Sequence, residues 1–265
     1  MAKRTCLITG ASAGIGAAFA EVFAAHGFDL ILTARRRDRL EALASSLTAR
    51  HGCAVHVLTA DLAEPGSVAR LCGELEARGL TVDALVNNAG YGVPGLLTTP
   101  AWEQQRDALQ VLIVAVVELA YRLLPGMQAR GYGRILNIAS LAGLIPAPAG
   151  HTIYPASKSF VMRFSEALSE EVRGTGVQVT GLCPGFTLSE FHDVTGTRAS
   201  VSKLPGFMWQ DADTVARAGY DAVMAGIAVY VPGRVNRVMA FVARHAPWVL
   251  MQVQRRFSWA YRKTH

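Results

Sequence analysis

The sequence predicts a doubly wound α/β domain built on one parallel sheet. Three observations carry that reading. Short, continuously apolar runs rich in β-branched residues recur along the chain, helical patterns alternate with them, and a glycine-rich loop follows the first run directly. Strands that are apolar at every position are expected where helices cover both faces of a sheet, as in parallel α/β folds.

Six runs read as strands: Thr5–Thr9, Leu30–Thr33, Val55–Thr59, Ala84–Val86, Ile135–Ala139 and Val177–Leu182. A seventh is expected at Ala228–Val231. Between them, apolar residues at helical spacing mark helices over Ile15–Ala25, Arg37–Arg50, Gly66–Arg78, Trp102–Arg130 and Tyr154–Arg173. Residues 186–210 mix Thr, Ser, Gly and bulky apolar residues without a period, so a loop or short helices over a site is expected there. The expected division is one domain over residues 1–233, with a substrate loop at about 186–210, and a basic helical tail over 234–265.

At 265 residues and 51% hydrophobic content, the chain has the material for one large buried core. The start of the chain has no charged segment followed by an apolar stretch and a cleavage site. The longest uninterrupted apolar run, Val111–Val117, is too short to cross a bilayer. A cytoplasmic protein is the expectation. Cys6, Cys53, Cys72 and Cys183 are scattered and no pair has metal-ligand spacing, so neither a metal site nor disulfides are expected. The net charge of +6 is concentrated at one end: residues 1–233 hold 19 basic and 20 acidic residues, and residues 234–265 hold seven basic residues and no acid. A folded, basic, aromatic-studded face for nucleic acid is absent from that pattern.

The glycine loop is Thr9-Gly10-Ala11-Ser12-Ala13-Gly14-Ile15-Gly16. Gly10 permits a tight turn, Gly14 lets the backbone approach a pyrophosphate, and Gly16 allows close helix–strand packing, with the helix N-terminus facing the phosphates. Such a loop alone is weak evidence; its place right after the first strand strengthens it. The second strand runs into Ala34-Arg35-Arg36-Arg37. An acid there would bond ribose hydroxyls and favour NAD(H); Arg35 can instead clamp a 2′-phosphate, which favours NADP(H). The bland alternative, a solvated helix start, is weakened because cations sit poorly at a helix N-terminus. Asp61 and Leu62 close the third strand, where adenine would lie, and Asn87-Asn88-Ala89-Gly90 closes the fourth.

Tyr154 and Lys158 are four apart, on one helix face, and Ser140 ends the fifth strand fourteen residues before the tyrosine. A free tyrosine titrates near pH 10 and is a poor acid–base group at neutrality. An ammonium nearby favours its phenolate, and a serine hydroxyl can hold a substrate oxygen. A dinucleotide loop with a proton-transferring tyrosine is equipment for interconverting a carbonyl and an alcohol.

These motifs together resemble the short-chain dehydrogenase/reductase family over nearly the whole chain. The matching segments are TGASAGIG, NNAG, NIAS ending at Ser140, YPASK, and Cys183-Pro184-Gly185-Phe186-Thr187. The local wording is similar to a bacterial subgroup of largely unassigned substrate. The resemblance implies that Tyr154 is the acid/base, that Ser140 polarises the carbonyl, and that Lys158 lowers the tyrosine pKa and holds the nicotinamide ribose. It also implies that Pro184, Gly185 and Thr187, with Ser189, line the nicotinamide side. One position departs: the family's usual asparagine, thirteen residues ahead of the proline in LLPGM, is Leu112. That residue supports a water-linked proton relay in the family, so a rival reading is a dinucleotide-binding regulatory or scaffold protein of weak turnover.

Apolar residues dominate the expected pocket: Tyr91, Val93, Leu141, Leu144, Ile145, Phe186, Phe191, Leu204, Phe207, Met208 and Trp209, with His151 and His192 as polar exceptions. They suggest a small apolar carbonyl or alcohol substrate. In the tail, Arg234–His245 and Pro247–Lys263 read as helices with an apolar stripe beside arginines. Two readings fit: contact with a neighbouring subunit in a homodimer or homotetramer, or peripheral contact with an anionic membrane surface.

Overall fold

The computed structural model describes residues 3–188, 190, 205–252 and 255. Seven strands form one parallel sheet: β1 (Thr5–Thr9), β2 (Asp29–Thr33), β3 (Val55–Val57), β4 (Ala84–Asn87), β5 (Gly133–Ile138), β6 (Val177–Leu182) and β9 (Val229–Tyr230), in the order β3-β2-β1-β4-β5-β6-β9. The expected strands are all present, with ends that differ by a residue or two. Chain order reverses between β1 and β4, which opens a crevice at their C-terminal ends, the place where such sheets bind ligands.

Helices cover both faces. One core layer joins the sheet to α1 (Gly14–Ala25), α2 (Arg37–His51) and α7 (Ala212–Met224). The other joins it to α3 (Ser67–Ala77), α5 (Ala115–Ala129) and α6 (Ile153–Glu171). Sandwiched in this way, β1, β2, β4 and β6 bury nearly every side chain, which is why they read as unbroken apolar runs.

The helix expected over Trp102–Arg130 follows one helical path but not one geometry. It begins as α4 (Trp102–Leu109), passes through a π-helical segment at Gln110–Val114, and continues as α5. The amide of Ala115 donates to the Gln110 carbonyl, the wider i→i+5 bond of such a segment. The whole run, Trp102–Ala129, has 28 residues and contains an 18-residue window of mean hydropathy 1.7, long and apolar enough by those measures to cross a bilayer. The expectation from Val111–Val117 alone missed this length. In the fold that apolar content goes into the core: Val111, Leu112, Ala115, Val116, Leu119, Ala120 and Met127 are buried, and α5 packs on α3 and β5.

Of residues 186–210, expected as a loop or short helices, 189 and 191–204 lie outside the described residues. Their described ends form a second, two-stranded parallel sheet, β7 (Phe186–Leu188) with β8 (Trp209–Asp211), and a 3₁₀ turn at Gly206–Met208. The tail helix α8 (Arg234–His245) packs against this ribbon: Asn236 is buried and donates to the Gln210 side-chain oxygen at 2.8 Å. A further helical stretch begins at residue 247; most of its expected span lies outside the described residues.

Candidate active site

The glycine loop is built by two close approaches. Gly10 has φ +65°, a backbone region that favours glycine. A Cβ on Gly16 would lie 2.3 Å from the Gly10 carbonyl oxygen, so no larger residue lets α1 start this close to β1. Across the crevice, the buried Thr9 hydroxyl accepts the amides of Asn88 (2.9 Å) and Ala89 (3.0 Å) and donates to the Val86 carbonyl at 3.3 Å. The Asn88 amide donates to the carbonyls of Thr9 (2.9 Å) and Gly10 (3.3 Å). The ends of β1 and β4 are thus pinned together. The N-cap residue Ala13 offers no side-chain cap, so the first amides of α1 keep their capacity to receive an anion.

Arg35 is exposed at the end of β2, lines the cleft, and makes no hydrogen bond or ion pair among the described residues. Arg36 is engaged: its guanidinium donates to the Ser12 hydroxyl from Nε (3.3 Å) and Nη2 (3.1 Å), and from Nη1 to Glu190 at 3.0 Å. Asp61 turns its carboxylate to the Ala63 amide at 3.0 Å.

At the other end of the cleft, Ser140 caps a short 3₁₀ turn, Leu141–Gly143, by accepting the Ala142 amide at 3.1 Å. The turn lies directly on α6: a Cβ on Gly143 would come within 2.6 Å of the Lys158 and Ser159 backbone. This contact brings Ser140 to Tyr154, and the two hydroxyls are hydrogen-bonded. Tyr154 keeps part of its surface open to the cleft, but its phenol is enclosed, and that desolvation pushes it up to about 12. Lys158 is buried, its Nζ 5.7 Å from the Tyr154 ring centroid and donating to the Ile138 carbonyl at 2.6 Å. Burial lowers its pKa to about 8. Burial raises the tyrosine, the Ser140 hydrogen bond is what pulls it down, and Lys158 turns its ammonium toward β5. At neutral pH the phenol therefore holds its proton, the state needed to protonate a carbonyl oxygen.

The expected residues Gly10, Ser12, Gly14, Ile15, Arg35, Asp61, Leu62, Asn88, Ala89 and Gly90 line one continuous cleft with Ser140, Tyr154, Lys158, Pro184, Gly185 and Thr187. Gly16 stands behind the loop as a packing residue. The apolar wall includes the expected Tyr91, Leu141, Ile145 and Phe186. Val93, Leu144, His151, Phe207, Met208 and Trp209 are not among the lining residues, while Ser189, Phe191, His192 and Leu204 lie outside the described residues. Arg36, Val111, Glu190 and Met239 line the cleft unforeseen. Nor did the sequence reveal the buried chain in which Asn87 donates to Asn137 (2.9 Å), Asn137 to Ser165 (3.0 Å) and Ser165 to the Val161 carbonyl (2.7 Å). It fixes β4, β5 and α6 relative to one another. The one available signal was a polar residue inside each otherwise apolar run.

The model of the short chain dehydrogenase family matches residues 4–198. The chain belongs to that family. This short-chain dehydrogenase is 38% identical to a sulfoacetaldehyde reductase of Chromohalobacter salexigens over 69% of this chain and 72% of the relative. Among solved structures, a short-chain dehydrogenase from Sphingobium yanoikuyae in complex with NADPH aligns with TM-score 0.82 and 32% identity, covering 94% of this chain and 95% of that one. A bulky-bulky ketone specific alcohol dehydrogenase from Comamonas testosteroni aligns with TM-score 0.76 and 29% identity, covering 91% and 92%. The protein is thus an oxidoreductase of CH–OH and carbonyl groups that binds a nicotinamide dinucleotide.

Gly143→Ala is expected to lift the 3₁₀ turn off α6 and part Ser140 from Tyr154. The rate with any carbonyl that the unmodified protein reduces should fall about 10- to 100-fold, with the melting temperature lowered only a few degrees, because small misplacements of reacting groups are costly. Steady-state kinetics beside a thermal melt checks this; an unchanged rate refutes the role of the turn.

Proposed function

We propose that the protein reduces an apolar ketone or aldehyde with NADPH, and oxidises the alcohol in reverse, with Tyr154 as acid and base. The observation that carries this is Tyr154, hydrogen-bonded to Ser140 and beside the buried Lys158, in the same cleft as the glycine loop. The bound nicotinamide supplies the hydride. Tyr154 gives its proton to the carbonyl oxygen, and the Ser140 hydroxyl holds that oxygen and orients it. Lys158, with its pKa near 8, remains mostly charged at pH 7 and stabilises the phenolate once the proton has left. Gly185, Thr187 and Pro184 form the wall beside the nicotinamide, and Asn88, Ala89 and Gly90 support the ribose side. The Sphingobium dehydrogenase solved with NADPH supports this cofactor, and the Comamonas enzyme, specific for bulky-bulky ketones, supports a ketone substrate.

Leu112 fills space beside this centre: a Cβ on Gly90 would meet its Cδ2 at 2.9 Å and the Lys158 Nζ at 3.6 Å. A leucine cannot hold a water there through its side chain. Proton return to Lys158 must then use backbone carbonyls, which the widened turn at Gln110–Val114 favours. We favour turnover over the regulatory reading because Ser140, Tyr154 and Lys158 are all in place.

For partners, we place the protein in the cytoplasm as a homodimer or homotetramer, with the exposed Val114, Tyr121 and Phe160 of the α5–α6 side as subunit contacts. A second contact surface is favoured by α8 and the stretch after it. Val238, Phe241, Trp248, Val249 and Met251 are exposed beside Arg234, Arg237 and Arg244, the pattern of a helix lying on an anionic membrane.

Tyr154→Phe is expected to abolish carbonyl reduction while leaving NADPH binding intact, as followed by NADPH absorbance and by titration; an unchanged rate ends the acid–base assignment. NADPH should bind tighter than NADH by about 1.5–3 kcal/mol, roughly 10- to 150-fold, the worth of a charged hydrogen bond at Arg35, and Arg35→Asp should reverse the order. Equal affinities in the unmodified protein would remove the preference. The full-length protein should co-sediment with vesicles containing anionic lipid and be released by salt, whereas deletion of residues 247–265 should abolish this without loss of cofactor binding. Indifference to vesicles together with a smaller assembly after deletion would assign the tail to subunit contact.

A further inference from the structure

Only two carboxylates line the described cleft, Asp61 and Glu190. Asp61 serves its own turn. Glu190 comes from the opposite wall, two residues past β7, and reaches over to the adenosine side. Its Oε2 accepts from Arg36 Nη1 at 3.0 Å and its Oε1 from Arg39 Nη1 at 2.5 Å. Those two hydrogen bonds hold the Glu190 carboxyl below the usual carboxylate range, Arg39 contributing most. The remaining edge of Arg36 is on the Ser12 hydroxyl in the glycine loop. A single guanidinium therefore ties the phosphate-binding loop to the chain that leaves the nicotinamide corner.

The position matters because of what else is there. Arg35, with no partner among the described residues, stands next to Arg36 at the end of β2, beside the place where a ribose 2′-substituent would lie. An arginine pair grips a phosphate monoester and a carboxylate through the same fork of donors. Glu190 presents two anionic oxygens to that fork. Arg36, Arg39 and Glu190 are each about two-fifths exposed, so the pairs are solvent-screened and exchangeable, and neither is a fixed strut.

Resting on the NADP(H) reading above, we propose that Glu190 is an internal competitor for the cofactor's 2′-phosphate. It occupies Arg36 in the free protein and is displaced when the phosphate takes its place between Arg35 and Arg36. NAD(H), with a hydroxyl at that position, leaves the Glu190 pairs intact. Glu190 thereby lowers the margin by which the enzyme prefers NADP(H), and the phosphate releases Glu190 from Arg36 as it binds. No bond is made or broken covalently; the oxygen that leaves Arg36 passes to water while Arg39 keeps the other.

The test is equilibrium binding, independent of turnover. NADPH, NADH, 2′,5′-ADP and 5′-AMP are titrated into the unmodified protein and into Glu190→Gln, which keeps the shape and removes the charge. NADPH and 2′,5′-ADP should tighten about three- to tenfold, the worth of one to two screened ion pairs, while NADH and 5′-AMP stay unchanged. Glu190→Ala should move the same way. Unchanged affinities for all four ligands overturn the proposal and reduce the contact to a surface ion pair, with the NADP(H) reading intact. Weaker NADH and 5′-AMP binding overturns it differently, by making Glu190 the partner of a ribose hydroxyl. Equal NADPH and NADH affinity in the unmodified protein sinks the NADP(H) reading and this proposal with it.

Discussion

The hydroxyl of Thr9 is the point on which the site depends. It is buried where chain order reverses, and it satisfies two amides of the turn after β4 while bonding a carbonyl of β4 itself. A buried amide without a partner costs about 1–3 kcal/mol, so the crevice between β1 and β4 has one inexpensive geometry. Asn88 closes the same seam from the other side through the Thr9 and Gly10 carbonyls. The glycine loop is held open at a fixed width by bonds that no cofactor contributes. The cleft is preorganised in the sense that its polar groups are already spoken for, except those that face outward.

The chemical end is organised by packing and not by charge. Gly143 lets a 3₁₀ turn lie on the backbone of α6, and Ser140 meets Tyr154 as a result. The buried Asn87–Asn137–Ser165 chain keeps β5 and α6 in register behind them. Burial then sets the protonation states: the phenol is held neutral and the ammonium is brought close to titration. Both shifts favour the neutral form of each group, so Tyr154 meets a carbonyl oxygen with its proton still on.

The parts of this legible in the sequence were those with a period or a spacing. Strands covered on both sides leave unbroken apolar runs, and Tyr154 with Lys158 leaves a helical i, i+4 pair. Glycines forced by close approach leave Gly10 and Gly16. What could not be read has no local signature. The π-helical segment at Gln110–Val114 is as apolar as an α-helix and differs only in which carbonyl each amide finds. Glu190 reaches Arg36 from 154 positions away, and Asn137 looks like any polar residue in a strand until Asn87 and Ser165 are seen beside it. The helix Trp102–Ala129 shows the opposite failing, since its composition suits a bilayer while its buried face belongs to the sheet.

Gly185 has no side chain, and the space is filled from outside the sheet: a Cβ there would collide with Asn236 of α8 at 2.4 Å. Helix α8 is therefore a wedge behind the cleft wall at Gly185, held at Gln210 and at the Pro232 carbonyl. A force on α8, whether from a bilayer or from another subunit, has a rigid path of one side chain to the wall of the reaction chamber. The position of α8 and the shape of the cleft wall at Gly185 are mechanically one variable in this protein.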